Sequence, residues 1–305
     1  MISSTTKGVI AAIASAVCYG MNPLGALYLY KDGINTDSAL FYRFSLASLL
    51  LGITLLIQRE SYKISKRELA FSILLGLMFA ISSLTYYDSF HYMDAGISST
   101  ILFIYPIMVA IIMAAVFHEK LTHPMMAAIF LSMIGVAILY NGEGVKLSIT
   151  GVILVLISAL AYAVYIVIVN RAKLQVSATK LTFFATLFCA CFIFIHSLTT
   201  TDNHIIIPYS ANIWFYAMIL AVFPGLLSLL LLAVAVRNIG STQTAIFGAL
   251  EPVSALCVGV FVFGERVTFK MGIGILLVLL SVTLIILARR KKNQSDKVAE
   301  SPNFK

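Results

Sequence analysis

Apolar residues form long unbroken runs along the chain, and short polar segments separate these runs. A helix that crosses a bilayer needs about 17–25 predominantly apolar residues, and ten runs meet or approach that length. In the first half we predict spans over residues 8–29, 39–57, 69–90, 95–117 and 124–140. In the second half we predict spans over residues 151–169, 181–195, 213–236, 242–263 and 271–288. The seventh run is short, so we expect that span to include flanking residues.

The composition indicates a membrane protein rather than a soluble one. The chain is 60% hydrophobic and 11% charged, whereas soluble domains carry roughly 25% charged residues. The connections between runs are brief and leave no room for a soluble catalytic domain, so we predict that the protein is not an enzyme. The four cysteines lie inside apolar runs without metal-ligand spacing, so neither a metal nor a cofactor is expected. The polar tail over residues 289–305 is predicted to be disordered.

Basic residues indicate how the spans are oriented. With the N-terminus in the cytoplasm, the inner segments carry 16 of the lysines and arginines and the outer segments carry 5, including Arg43 just inside a span. Because cytoplasmic loops of membrane proteins are enriched in lysine and arginine, both termini should be cytoplasmic. The net charge of +8 is spread between the apolar runs, so no nucleic-acid partner is expected. We predict a multi-pass protein of the inner cell membrane, in contact with the lipid bilayer.

Several short motifs occur twice, about half a chain apart. Gly8-Val9-Ile10, Ser15-Ala16 and Tyr19 recur as Gly151-Val152-Ile153, Ser158-Ala159 and Tyr162. Residues 1–143 and 144–288 are therefore predicted to be two repeats of five helices. Five is an odd number, so the second repeat must enter the membrane from the opposite side. The predicted fold class is an all-α membrane protein, with ten transmembrane helices as two inverted five-helix repeats around a binding site near the midplane.

The repeated motifs also carry a family resemblance over most of residues 8–288. In the first repeat they are Tyr19-Gly20-Met21-Asn22, Phe41-Tyr42-Arg43-Phe44, and Pro106 followed by Glu119-Lys120-Leu121-Thr122. In the second repeat they are Leu250-Glu251-Pro252-Val253 and Gly264-Glu265-Arg266-Val267-Thr268. With these motifs the chain resembles the EamA-type transporters of the drug/metabolite transporter superfamily. The resemblance implies a ten-helix inner-membrane carrier, often an exporter of amino acids or other small metabolites.

Glu251 is the strongest candidate for a functional residue. It lies near the middle of the ninth predicted span, where a charge costs at least ~3 kcal/mol. Its carboxyl group should therefore face a cavity, find a partner or be protonated. One interpretation is a proton-coupling or substrate-amine site, and the other is a protonated acid that hydrogen-bonds a neighbouring helix. The equivalent position of the first repeat holds Tyr105, so such a site would be asymmetric.

Arg43 is the second charged candidate. Its planar guanidinium group suits a substrate carboxylate. The structural alternatives are an ion pair with Asp88 or a side chain that extends to the membrane interface. Further candidates for the wall of a central cavity are polar or aromatic residues at inner depths of the spans. They are Tyr19, Asn22, Tyr86, Tyr87, Tyr105, Tyr162, Tyr165 and Phe247.

Two prolines and two glutamates of the repeated motifs invite structural interpretations. Pro106 and Pro252 lie within equivalent predicted spans, where each serves as a hinge or as a static kink. Glu119 and Glu265 follow those spans. Each precedes a threonine that can cap the next helix, so we interpret both as turn-forming residues rather than as transport sites.

These observations favour a secondary active transporter that exports small metabolites, such as amino acids or related compounds, by alternating access. Protons are a candidate coupling ion, and a homodimer is a possible assembly. The alternatives are a carrier of nucleotide-sugar or lipid-linked cargo, which would need several basic residues in the cavity, and a non-transporting membrane scaffold. An intramembrane enzyme would need paired catalytic groups at one depth, and the spans offer the single acid Glu251.

Overall fold

The structure of the protein is a computed structural model that describes residues 4–118, 122–140, 148–172, 174–199, 204–266 and 268–300. This part of the chain is all helical and contains no β-strand. The repeat boundary predicted at residues 143 and 144 lies outside the described residues, as do Glu119, Lys120, Leu121 and Val267 of the repeated motifs.

The described chain folds into thirteen α-helices and one short π-helical segment. The helices of the first half are α1 (Ser4–Gly20), α2 (Asn22–Lys31), α3 (Thr36–Ile57), α4 (Lys66–Ser89), α5 (Ala95–Leu102), α6 (Tyr105–Phe117) and α7 (His123–Tyr140). Those of the second half are α8 (Ile149–Ala172), α9 (Ala178–Thr199), α10 (Ala211–Leu220), α11 (Ser228–Phe247), α12 (Leu250–Phe263) and α13 (Phe269–Glu300). The π-helical segment Ala221–Leu227 joins α10 to α11 and contains Pro224.

Eight helical segments of the described chain are long and apolar enough to cross a membrane. They correspond to the first four predicted spans and to the sixth, seventh, eighth and tenth. The fifth and ninth predicted spans correspond to the shorter apolar helices His123–Gly135 and Leu250–Phe263. The protein is therefore a multi-pass membrane protein, and the count of ten spans stays a prediction. The seventh span extends beyond its predicted 181–195 to Ala178–Thr199, as expected.

The final helix is longer than the sequence suggested. Helix α13 continues through residues 289–300, where the sequence analysis predicted a disordered tail. Lysine, arginine, glutamine, alanine and glutamate in this stretch all have good intrinsic helix propensity, which is consistent with an extension of the apolar helix. Residues 301–305 lie outside the described part of the chain.

Several helices are interrupted inside the bundle. The first span breaks at Met21, between α1 and α2, and the fourth breaks at Phe103 and Ile104, between α5 and α6. Pro106 is the second residue of α6, and Pro252 is the third residue of α12. The first turn of a helix has no intrahelical partner for its N–H groups, so proline is tolerated there. Both prolines therefore lie beside breaks between helices, not at bends inside continuous helices.

The main helix pairs occur in matched sets. Helix α1 packs along α11, and its repeat counterpart α8 packs along α4. Helix α1 also packs against α12, as α8 does against α6. The pairs α3–α9 and α7–α13 each join a helix of one half to the corresponding helix of the other, and the pair α5–α12 joins the fourth predicted span to the ninth. This arrangement is what two structurally equivalent halves would produce.

The repeated serines make equivalent hydrogen bonds in the two halves. The Ser15 hydroxyl of α1 donates to the Ser228 carbonyl oxygen of α11 at 2.8 Å. The Ser158 hydroxyl of α8 donates to the Ser82 carbonyl oxygen of α4 at 2.7 Å. Small residues let membrane helices approach closely, and a serine there also satisfies its own hydroxyl group. The doubled Ser-Ala motif thus positions the same type of helix contact twice.

The carboxylate of Glu265 joins the end of α12 to the start of α5. The backbone N–H of Ala95 donates to Glu265 Oε1 at 2.9 Å, and that of Gly96 donates to Oε2 at 3.2 Å. These N–H groups belong to the first turn of α5, where no intrahelical acceptor is available. Burial raises the pKa of the Glu265 carboxyl, while the two N–H donors act in the opposite direction. Glu265 is therefore a cap on another helix, in addition to any role in its own turn.

Glycine at position 259 makes room for this cap. A Cβ atom built on Gly259 would overlap the Glu265 carboxylate, so any side chain there would force the carboxylate to shift. The carboxylate thus passes directly over the backbone of α12 to reach α5. The start of α5 and the end of α12 are joined by this contact at one end of the bundle.

Replacing Glu265 by alanine should lower the free energy of unfolding by about 1–3 kcal/mol, because two N–H donors lose their acceptor. Glu265→Gln keeps one carbonyl oxygen as an acceptor, so its free energy of unfolding should fall by less. Gly259→Ala should lower the free energy of unfolding by a similar amount to Glu265→Ala. The double variant should be only slightly less stable than either single variant. Thermal unfolding in detergent measures these differences.

Gly272→Ala is the matched control, because a Cβ atom at Gly272 would meet open space. Its unfolding temperature should stay near that of the unsubstituted protein. If the losses of stability from Gly259→Ala and Glu265→Ala were additive in the double variant, the two residues would not act through one contact.

Candidate functional site

A small cavity lies in the centre of the bundle, where the interrupted helices meet. Its walls come from the end of α1, the break between α5 and α6, and the first turns of α12, together with α2, α3, α4 and α8. The enclosed volume is about 30 Å³, room for one or two water molecules. The cavity is therefore nearly closed in this conformation.

Most of the predicted site residues line this cavity. The wall includes Tyr19, Asn22, Arg43, Tyr86, Tyr105, Tyr162, Glu251 and Pro252. These residues come from seven different helices and from both halves of the chain. Sequence reasoning placed Arg43 near the outer end of its span and the others within several different spans, and the structure brings them together around one space.

Besides Tyr87, which is described below, three predicted residues lie elsewhere. Tyr165 stacks on Tyr162 with ring centroids 5.8 Å apart, so it supports the wall from behind. Phe247 packs against a small cluster that contains Ala11, Ala12 and Ala235. Pro106 follows the wall residue Tyr105 without lining the cavity itself. Their places are those of packing residues around the cavity.

Arg43 belongs to a buried hydrogen-bonded chain. Its side chain is 3% exposed, and Nη1 donates to the Tyr87 hydroxyl at 3.0 Å. That hydroxyl donates to Asn22 Oδ1 at 3.1 Å. Asn22 Nδ2 in turn donates to the Tyr19 carbonyl oxygen at 2.8 Å, next to the break between α1 and α2. The chain ties the guanidinium group to the interrupted first span.

The arginine keeps unused binding capacity. Its Nε is buried without a hydrogen-bond partner, and among the described residues no carboxylate forms a salt bridge with it. The guanidinium lies 4.8 Å from the Phe44 ring centroid and 5.6 Å from that of Tyr87. Aromatic faces stabilise a cation without neutralising it. The structure thus differs from the ion pair with Asp88 that the sequence analysis considered.

Glu251 is the acidic side chain of the same wall. It is the second residue of α12, and the N-terminus of a helix favours a negative group. Helix α1 approaches its backbone closely, since a Cβ atom on Gly20 would be 2.6 Å from the Glu251 carbonyl oxygen. A bulkier residue at position 20 would push α1 away from α12. Gly20 therefore helps to position Glu251 against the first repeat.

Aromatic rings form one side of the cavity. Tyr105 and Tyr162 meet edge to face with centroids 4.7 Å apart, and Phe103 lies 6.0 Å from Tyr105 in the same manner. Phe79 packs near Tyr162 at 6.3 Å. The Tyr86 hydroxyl shares a 2.6 Å hydrogen bond with the Ser99 hydroxyl. The wall can therefore offer both ring faces and hydroxyl groups to a small molecule.

Sequence reasoning missed several wall residues. They are Phe79, Ser82, Ser83, Ser99, Leu102, Phe103 and Ala255. Tyr87, one of the aromatic candidates of the sequence analysis, does not line the cavity; it is fully buried and connects Arg43 to Asn22. Adjacent serines inside apolar runs, as at Ser82-Ser83 and Ser98-Ser99, are the signal that could have indicated a polar depth. Within the described residues, no group of three metal-ligating side chains is present.

Comparisons with known proteins agree with this architecture. The sequence profile of the EamA-like transporter family matches residues 6–141 and again residues 149–287. The chain is 21% identical to an uncharacterized transporter of Archaeoglobus fulgidus, over 92% of this chain and 98% of that one. It is 20% identical to the uncharacterized transporter YcbK of Bacillus subtilis, over 90% of each chain.

A third relative and a solved structure extend the comparison. The uncharacterized transporter YyaM of Bacillus subtilis is 24% identical over 81% of this chain and 83% of its own. A protein of known crystal structure superposes with a TM-score of 0.63 at 15% identity, over 94% of this chain and 98% of that one. That similarity concerns the fold alone. With two profile matches over nearly its whole length, the chain belongs to the EamA-like transporter family and is a membrane transporter.

Proposed function

We propose that this transporter is a secondary active exporter of small zwitterionic metabolites, amino acids or related compounds, and that it works by alternating access. The observation that carries the proposal is the pair of opposite charges on one cavity wall. Arg43 offers an unpartnered N–H group, and Glu251 offers a carboxyl group from the other half of the chain. A molecule with a carboxylate and an ammonium group is complementary to both.

The degree of closure supports a conformational cycle. A cavity of about 30 Å³ cannot hold a metabolite, so the bundle must open for cargo to enter or leave. At one end of the bundle, the Glu265 carboxylate joins the end of α12 to the start of α5 by hydrogen bonds. We infer that this contact forms in states closed at that end and separates in states open there.

The matched helix pairs support the inverted repeat. Two equivalent halves related by an axis in the membrane plane can exchange their packing, and the exchange opens the opposite side. Pro106 and Pro252 lie beside the breaks at which such movement would be absorbed, so we assign both to hinges. The inner cell membrane, with both termini in the cytoplasm, is the location proposed from the basic residues.

The alternatives receive less support. Nucleotide-sugar or lipid-linked cargo carries phosphates and would need several basic groups, whereas Arg43 is the one basic residue among those that line the described cavity. A scaffold without transport would have no reason to bury opposite charges around a shared space. Protons stay the proposed coupling ion, with Glu251 as their carrier.

Glu251→Gln should abolish coupled export, because the amide keeps the shape of the side chain but cannot ionise. We expect a fall of at least about 100-fold in export rate, the scale expected for losing a positioned proton-transfer group. Cells that overexpress each variant are compared by profiling the metabolites they excrete. Glu68→Gln, at the start of α4, is the matched control and should export normally. An unchanged profile for Glu251→Gln would remove this residue from the mechanism.

Arg43→Lys should weaken binding of carboxylate cargo by about 10-fold, because lysine keeps the charge but loses the planar fork. The affinity for the matching amide of the cargo should change much less. Binding is measured with purified protein by calorimetry, once export profiling has identified a cargo. Arg59→Lys, on an exposed turn, serves as the control. If Arg43→Lys lowered the affinity for the carboxylate cargo and for its amide equally, Arg43 would not be a carboxylate site.

A further inference from the structure

A deep groove on the outer face of the bundle runs between α3 and α9. Its volume is about 830 Å³, and its walls are almost entirely apolar side chains. Leu49, Leu56 and Phe194 line the groove and are 60%, 63% and 43% exposed. This face of a membrane transporter contacts lipid, so the groove opens toward the acyl chains of the bilayer.

Small residues create the recess. Ser45, Ser48 and Gly52 follow one another along the α3 side, and Ala190 and Cys191 face them from α9. The groove extends along α3 from Phe41 to Leu56, which corresponds to about 22 Å at 1.5 Å per residue. One leaflet of the hydrocarbon core is about 15 Å thick. The recess is therefore long enough to hold an acyl chain over the full depth of a leaflet.

The loop between α3 and α4 closes one end of the groove. Tyr62 lines the groove, and its hydroxyl donates to the Gly52 carbonyl oxygen at 2.5 Å. Its ring meets that of Phe183 from α9 edge to face, with centroids 5.7 Å apart. The loop is thus held across both helices at the membrane surface.

Basic residues gather at this closed end. Lys63 follows Tyr62 directly, and the Lys180 ammonium group donates to the Lys63 carbonyl oxygen. Phe183 of the groove wall lies one turn after Lys180 on α9. Lys66 and Arg67 are exposed at the start of α4, and the Arg67 guanidinium donates to the Ala172 carbonyl oxygen at 3.2 Å. Lys63 and Lys180 are therefore the basic residues nearest the closed end of the groove, with Lys66 and Arg67 on the same side of the bundle.

Two acidic residues in the same region accept hydrogen bonds from neighbouring groups. The Ser177 hydroxyl donates to Glu60 Oε2 at 2.6 Å. Glu68 caps α4 by accepting from the Ser65 N–H at 2.9 Å. The four basic residues exceed these two acids, so the end of the groove has a net positive charge and complements a phosphate.

We propose that this groove is a binding site for an anionic phospholipid. The phosphate lies against Lys63 and Lys180, and one acyl chain fills the recess between α3 and α9. The site is separate from the central cavity and does not depend on the cargo. A lipid bound here would link the third helix of the chain to its counterpart in the second half.

Fluorescence quenching by brominated lipids tests this proposal on the full chain in nanodiscs. The chain has a single tryptophan, Trp214, so a Trp214→Phe background with Leu56→Trp places one reporter in the groove. Brominated phosphatidylglycerol should quench this reporter at a mole fraction at least about five-fold lower than brominated phosphatidylcholine does, the preference that a single basic residue provides at about 1 kcal/mol. Phe261→Trp, at a position that is 84% exposed on α12, is the matched reporter and should show no such preference.

Charge variants separate the groove from general membrane attraction. Lys63→Ala with Lys180→Ala should bring the two lipids to equal quenching at Leu56→Trp. Lys31→Ala with Lys270→Ala, outside the loop of Lys63, should leave the preference unchanged. Equal quenching by both lipids in the unsubstituted background would overturn the proposal. So would protection of the reporter from both lipids, which would indicate that a second copy of the chain covers the groove.

Discussion

Inside a bilayer, each backbone N–H and C=O group needs a partner within the protein, because the hydrocarbon core contains no water to bind it. This constraint makes the described chain all helical. It also decides where helices can be interrupted, since freed backbone groups are tolerated beside a polar cavity. The breaks at Met21, at Phe103 and before Leu250 all lie next to the central cavity. The candidate site therefore lies at the helix breaks, where a bound cargo would have access to the freed backbone polar groups.

Two kinds of contact hold this arrangement together. Serine pairs between α1 and α11, and between α8 and α4, join neighbouring helices by equivalent hydrogen bonds in the two halves. The Glu265 carboxylate instead joins α12 to α5. The equivalent residue of the first repeat, Glu119, lies outside the described residues. The shared contacts build a frame common to both halves. The charged residues Arg43 and Glu251 break the symmetry, which gives the cavity two chemically different sides.

Much of the frame could be predicted from the sequence. Apolar runs of sufficient length located eight long helical segments, whereas the boundary between the two repeats stays a prediction. The ninth span was less predictable, because hydropathy records how apolar a segment is and not whether its helix is continuous. Glu265 was interpreted as a residue of its own turn, whereas its partners Ala95 and Gly96 lie about 170 residues earlier. Sequence spacing carries no information about a contact of that range.

The sequence by itself determined which residues are chemically unusual in a membrane: Glu251, Arg43, Asn22 and a set of tyrosines. The cost of burying charged and polar groups in hydrocarbon made them recognisable without coordinates. Only the tertiary structure decided which of them share a cavity, because the predicted residues on its wall come from seven helices of both halves. It also decided that Arg43 is partnered by Tyr87 rather than by an acid, and that Phe247 packs away from the site. Those outcomes depend on helix rotation and close approach, which the packing of small residues sets across the whole bundle.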